Sequence, residues 1–155
     1  MRKRLIAILI LALAGIAVSA YALHLHYDVK ATSFCNFNGT FNCDVVNKSW
    51  ASQIAGVPVA LIGIIGYALL VIGSAWLLIV KKIPNLTWGA MALASAGGFG
   101  FALFLTGVEF FSLHTFCVVC LTSQLLILAI TWMTWATPEA RQGLRSWFFA
   151  SASSS

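Results

Sequence analysis

At 155 residues, 61% of them hydrophobic and 8% charged, with a mean hydropathy of +0.94, the chain has too few polar groups to cover a water-soluble globule. Each bilayer crossing takes about 20 apolar residues at about 1.5 Å rise, so four crossings fit with little chain to spare. The nine bases and four acids lie almost wholly outside the apolar runs, so the net charge of +5 reports membrane topology and not a nucleic-acid partner.

Arg2, Lys3 and Arg4 precede an unbroken apolar run that begins at Leu5. A basic start, an apolar stretch and Ala20-Tyr21-Ala22 also form the pattern of a cleaved secretory signal. The run is long for such a signal, and Leu23 and Leu25 extend it toward a full crossing, so it reads as a retained first span over 5–25. The loop 26–57 is the longest polar stretch. Asn38-Gly39 is a strong turn signal, so the chain between Cys35 and Cys43 can bend back and the two thiols can pair. Asn42 has the chemistry of a helix N-cap, which puts Cys43 in a first turn. Cys43, Val46, Trp50, Ile54 and Val57 then recur at spacings of three and four, with Asp44, Lys48 and Ser52 opposite. That pattern predicts a short helix lying in the membrane interface, with Cys43 on its lipid-facing stripe. His24 and His26 read as interfacial side chains, since nothing pairs them at ligand spacing. The sequons at Asn38 and Asn47 are short enough to arise by chance.

The second span covers 58–80, with Pro58 in its first turn and Gly63, Gly66 and Gly73 open to close approach by a neighbouring helix. Lys81 and Lys82 stop it. In the third span, 88–108, Ala90, Ala94, Gly98, Ala102 and Thr106 form a small-residue stripe expected to pack against another helix. Glu109 reads as an outer-surface charge in the turn that follows. The fourth span covers 114–136, and the tail 137–155 carries Arg141 and Arg145. Trp76, Trp88, Trp132 and Trp135 are expected near one membrane surface as an aromatic belt. Arg2, Lys3, Arg4, Lys81, Lys82, Arg141 and Arg145 fall on one side of this arrangement, and Lys30 and Lys48 on the other. By the positive-inside rule both termini are cytoplasmic, and all four cysteines face or enter from the outer, oxidising compartment.

The chemistry-bearing stretch is His114-Thr115-Phe116-Cys117-Val118-Val119-Cys120. Residues at i and i+3 share a helix face, so Cys117 and Cys120 can close a disulfide. A thiol in the first turn of a helix also meets unpaired N–H groups that favour the thiolate. The same spacing is half of many zinc sites, but a structural tetrahedral site usually organises a compact polar module. None is evident, and no metal is expected. His114, one turn before Cys117, is placed to stabilise its thiolate or to serve as a plain interfacial histidine. Two separated cysteine pairs suit a thiol relay; the alternative is a small tetraspan scaffold whose disulfides staple a loop.

With both pairs located, the chain resembles the vitamin K epoxide reductase family, in its bacterial form without a fused thioredoxin-like domain. The matching positions are Cys35, Cys43, Val46, Ser49, Gly56-x-Pro58, Gly63, Tyr67 and Cys117-Val118-Val119-Cys120. The other four-span, quinone-linked disulfide-forming family carries its C-x-x-C in the first outer loop, the reverse of the order here. The resemblance implies that Cys35 exchanges disulfide with a soluble thioredoxin-fold thiol oxidase in the periplasm and that Cys43 passes electrons to Cys117. It further implies that Cys120 faces a ubiquinone- or menaquinone-type acceptor and that Ser49 supports the loop helix. Val59 and Gln124 stand where animal members have a quinone-contacting asparagine and a tyrosine, and they are the candidate quinone contacts. Both departures point away from epoxide reduction, the alternative activity. The expectation is an all-α membrane protein of the cell inner membrane: one integral membrane domain over 1–155, a four-helix bundle with a short interfacial helix in its outer loop.

Overall fold

A computed structural model describes residues 2–28, 42–80, 85–138 and 142. Four helices dominate: α1 (Arg2–Tyr27), α3 (Val59–Ile79), α4 (Asn85–Val108) and α5 (Val118–Trp135), with a short α2 (Cys43–Asn47) between the first two. A π-helical segment, Glu109–Leu113, prolongs α4. The four long helices have the length and composition to cross a membrane, with mean hydropathies of 2.5, 2.3, 1.7 and 1.7 in chain order. The chain is a multi-pass, all-α membrane protein. Among the described residues there is also a hairpin of two two-residue strands, β1 (Gln53–Ile54) and β2 (Val57–Pro58), in which Gln53 faces Pro58 and Ile54 faces Val57.

The long helices form a ring in the order α1, α3, α4, α5, each packing on the next and α5 closing on α1. Lipid supplies no hydrophobic drive between helices, so close packing and hydrogen bonds between them hold the ring. Gly15 of α1 lies directly against the Tyr67 ring of α3. The Tyr67 hydroxyl in turn donates to the Ser123 carbonyl of α5 at 2.7 Å and meets the Ser123 hydroxyl at 3.0 Å. Between α4 and α5, Ser95 and Thr134 pair through their hydroxyls at 3.0 Å, and Thr131 donates to the Ser95 carbonyl at 3.0 Å. Trp135 donates to the Ala92 carbonyl at 3.0 Å and Trp88 to the Thr137 hydroxyl at 2.7 Å. Trp88 is therefore a core residue of the α4–α5 seam and not a belt residue; Trp76 and Trp132 are exposed on the helix exteriors. No buried side-chain nitrogen or oxygen among the described residues is left without a partner.

The loop helix is shorter than its sequence periodicity predicts, and it faces the other way. Asn42 caps α2 through its side-chain oxygen, which accepts from the N–H groups of Asp44 and Val45 at 3.1 and 3.2 Å. After Asn47 the helix yields to a 3-10 turn, Trp50–Ser52. The Ser49 hydroxyl donates to the Val46 carbonyl at 2.8 Å and that of Ser52 to the Ser49 carbonyl at 2.7 Å, bonds that satisfy the backbone outside a continuous helix. Ala55 and Gly56 then take positive φ angles of 52° and 81°, the backbone of a tight hairpin. Trp50, 74% exposed, thus leaves the stripe that Cys43 and Val46 were expected to share with it, and those two are buried against the bundle.

Candidate functional site

The site is assembled where α2 docks on the start of α5. The Asn42 N–H donates to the Phe116 carbonyl at 3.2 Å, so the residues that follow, Cys43 and Cys117, are brought in side by side. Both are fully buried and belong to one apolar cluster with Ala22 and Leu25 of α1, Val46 of α2 and Val119 of α5. Asn47 ties them together from one side chain: its Nδ2 donates to the Cys43 carbonyl at 2.9 Å and to Cys117 Sγ at 3.7 Å. Cys43 is held in a disulfide, whereas Cys117 and Cys120 are free thiols. Cys35 lies outside the described residues.

Cys117 is the N-cap of α5, and its sulfur accepts the Cys120 N–H at 3.2 Å, as a serine oxygen does at other helix starts. Its thiol is held below the ordinary cysteine range, first by a hydrogen bond from the Cys120 side chain. Burial opposes this, the backbone N–H groups of Cys120 and Val119 assist it, and the Glu109 carboxylate opposes it. Of the two, Cys117 is thereby the thiol whose ionisation its surroundings favour, and the thiolate is the form that attacks a disulfide.

Cys120, one turn further on, opens into a cavity of about 440 Å³ between α3 and α4, the neighbouring pair in the ring that packs least closely. Its walls are mostly apolar, with polar groups at a few points: Ser19, His26, Asn47, Ser52, Tyr67, Thr106, Glu109 and Ser123. A volume of this size with few, separated polar groups is typical of a site for a small organic molecule. The small-residue stripe of α4 is its wall: Ala94, Gly98, Ala102 and Thr106 all line it. They leave room for an occupant where helix packing was expected, because the buried seam of α4 runs instead through Trp88, Met91, Ala92 and Ser95.

A match of the family model for the vitamin K epoxide reductase family spans residues 6–135. The chain belongs to the vitamin K epoxide reductase family. No curated protein sequence matches it. Membership makes it a membrane oxidoreductase of the thiol–disulfide kind. No group of three or more His, Cys, Asp or Glu side chains among the described residues is placed to hold a metal ion.

The remaining expected residues fall into two groups. Val59, the first residue of α3, lines the cavity, and Ser49 closes the end of α2. Gln124 stands one layer back, its Oε1 accepting from the Thr106 hydroxyl at 2.5 Å. His114 is exposed and ends the π-helical segment in a left-handed conformation, φ 50°. Three residues acquire roles that spacing does not reveal. Asn47 is the link between the sulfur-bearing elements. His26 latches α1 to the loop: Nδ1 lies 2.7 Å from the Asn47 carbonyl and 3.2 Å from the Ser52 hydroxyl, and Nε2 lies 3.0 Å from Gln53 Nε2. These partners fit the neutral ring with its proton on Nδ1. Glu109 is not a surface charge. It is 4% exposed, because the π-helical segment turns it inward, and its Oε2 accepts the Cys117 N–H at 3.2 Å. The signal was present in the sequence as a carboxylate at the end of an apolar run, a costly position unless the group has a partner or a task.

Proposed function

We propose that the chain reoxidises a soluble thioredoxin-fold thiol oxidase in the periplasm and passes the electrons to a ubiquinone- or menaquinone-type quinone. The partner's dithiol enters by exchange with a Cys35–Cys43 disulfide, forming a mixed disulfide at Cys35 that the partner's second thiol resolves. The partner leaves oxidised and Cys35 and Cys43 become thiols. Cys43 then attacks Cys117 of a Cys117–Cys120 disulfide, and Cys35 displaces Cys117 to restore the outer disulfide. The inner pair, now reduced, gives two electrons and two protons to the quinone. In this cycle the state with the outer pair joined and Cys117 and Cys120 as thiols is the one after internal exchange and before the quinone is reduced.

The observation that carries this reading is the burial of Cys43 and Cys117 in one cluster, joined through Asn47, with Cys120 on a largely apolar cavity. A lipid-soluble two-electron oxidant suits that cavity, and a disulfide that merely staples a loop requires neither the cavity nor the second, free pair. Each 30 mV of potential toward the acceptor is worth about 1.4 kcal/mol for a two-electron couple, so modest differences between the pairs give the relay its direction. With both termini cytoplasmic, as the distribution of bases supports, the outer pair meets the periplasm.

The test is oxidation of a reduced thioredoxin-fold protein by the purified chain with a short-chain ubiquinone. Oxidation is expected in the native chain and lost in both Cys117→Ser and Cys120→Ser. With the partner supplied as its disulfide instead, the lone Cys35 thiol of the Cys43→Ser chain is expected to attack it and form a mixed disulfide, the partner's S–S bond breaking as the new one forms. Activity that survives loss of either inner cysteine overturns the relay.

A further inference from the structure

Glu109 stands among the reacting groups. Its carboxylate accepts the Cys117 N–H at 3.2 Å and lines the cavity that Cys120 opens into. Capping the Cys117 N–H alone would not call for an ion, since a neutral serine or asparagine oxygen caps a helix without burying a charge. Placed against both cysteines and the cavity, the group has proton chemistry within reach.

We infer that Glu109 carries a proton from the Cys120 thiol to the acceptor in the cavity during oxidation of the Cys117–Cys120 pair. The inference rests on the quinone reading above. Cys117 thiolate, Cys120 thiol, one quinone and one proton from water give the Cys117–Cys120 disulfide and one quinol. The Cys120 S–H bond breaks, the S–S bond forms, and two electrons and two protons reach the quinone, one of those protons by way of Glu109.

The geometry explains why a carrier is needed. Cys117 Sγ accepts the Cys120 N–H and the Glu109 carboxylate accepts the Cys117 N–H, so both groups stand at the start of α5 beside Cys120, and Glu109 and Cys120 line the same cavity. As the S–S bond forms, the Cys117 sulfur ceases to be a thiolate and cannot take the Cys120 proton. Glu109 keeps its free lone pairs on the cavity side. The other titratable groups lining the cavity are His26 and Tyr67, and both are engaged elsewhere: His26 with Asn47, Ser52 and Gln53, and Tyr67 with Ser123. A general acid or base in such a position is typically worth about 10²-fold or more in rate.

The test uses the full-length chain in lipid nanodiscs, its Cys117–Cys120 pair reduced beforehand, mixed with a short-chain ubiquinone. Glu109→Gln keeps an oxygen to cap the Cys117 N–H and removes the proton carrier. Single-turnover quinol formation is expected to fall about 10²-fold in that variant, with the KM for the quinone unchanged. The part of the acid limb of the native pH–rate profile that comes from the carboxylate should be lost, leaving the limb set by the Cys117 thiolate, and Glu109→Asp should restore part of the rate. Exchange from the reduced thioredoxin-fold partner to the Cys117–Cys120 disulfide should not be lost, since removing the charge that opposes the Cys117 thiolate makes Cys117 the better leaving group. Independently of turnover, the infrared difference spectrum between the dithiol and disulfide states should contain carboxylate stretching bands, shifted as the neighbouring Cys120 thiol is lost, that Glu109→Gln lacks. Native rate and pH profile in Glu109→Gln overturn the inference, as does loss of thiol exchange together with quinol formation, which would make Glu109 a structural cap. A native chain that reduces no quinone at all sinks the quinone reading instead.

Discussion

Cys117 occupies a position that a serine or aspartate commonly fills, and its sulfur caps the helix; in the proposed relay the same sulfur is the reactive atom of its pair. The thiolate is favoured chiefly by the Cys120 thiol, against burial and the nearby Glu109 charge. Removing that thiol therefore has a definite sign. In Cys120→Ala, burial and Glu109 are no longer offset by the leading hydrogen bond, so the Cys117 pKa rises. A hydrogen bond to a charged group is worth about 1.5–3 kcal/mol, so the onset of thiolate absorbance should move up by about one pH unit or more. An onset that stays put or moves down would show that the helix start, and not the partner cysteine, sets the acidity. At this scale the sequence made the i, i+3 pair and the Asn42 cap legible, because both are local patterns. Asn47 was not legible, and Glu109 only as a costly charge at the end of an apolar run, because each acts on a cysteine from another element, and only the docking of α2 and the inward turn of the π-helical segment bring them there.

At the scale of elements, small residues proved to have two opposite uses. Gly15, Gly63 and Gly73 sit where a helix is approached closely, against Tyr67, the Ser19 hydroxyl and Met91 respectively. Gly66 has nothing within 4 Å of where a Cβ would stand, and it lines the cavity. A glycine or alanine every few residues looks the same in sequence whether it admits a neighbouring helix or leaves a void, so the α4 stripe could not be assigned from spacing. Tyr67 shows what the close contacts hold. Its ring covers Gly15 and its hydroxyl is fixed to Ser123, so it links α1, α3 and α5 and cannot swing away. Gly15→Ala should therefore cost stability although alanine is the better helix former, by about 1–3 kcal/mol for an overpacked contact. The check is thermal unfolding of the detergent-solubilised chain. A native or raised midpoint would mean that α1 and α3 can part without loss.

At the scale of the whole molecule, four apolar runs and the distribution of bases carry the bundle, and they are read from composition because the bilayer constrains length and charge so strongly. The cavity is not encoded in that way. It results from a ring in which α1 packs well on α3 and α5, α4 is bonded to α5, and the α3–α4 joint is left slack. That division separates two tasks. The buried sulfur cluster at the α2–α5 junction needs tight packing for exchange, and the cavity needs space for an acceptor. If the tasks are physically separate, filling the cavity should stop one and spare the other. Gly66→Leu is suited to this, since α3 tolerates a side chain there without collision and the added atoms occupy the cavity. Quinone reduction by the prereduced chain should fall, through a raised KM, a lowered rate, or both. Exchange from a reduced thioredoxin-fold partner to the Cys117–Cys120 disulfide should proceed at the native rate, and thiol alkylation after a timed quench reads it directly. Quinone kinetics unchanged in Gly66→Leu would place the acceptor elsewhere on the bundle, while loss of exchange would mean that cavity and sulfur cluster move as one unit.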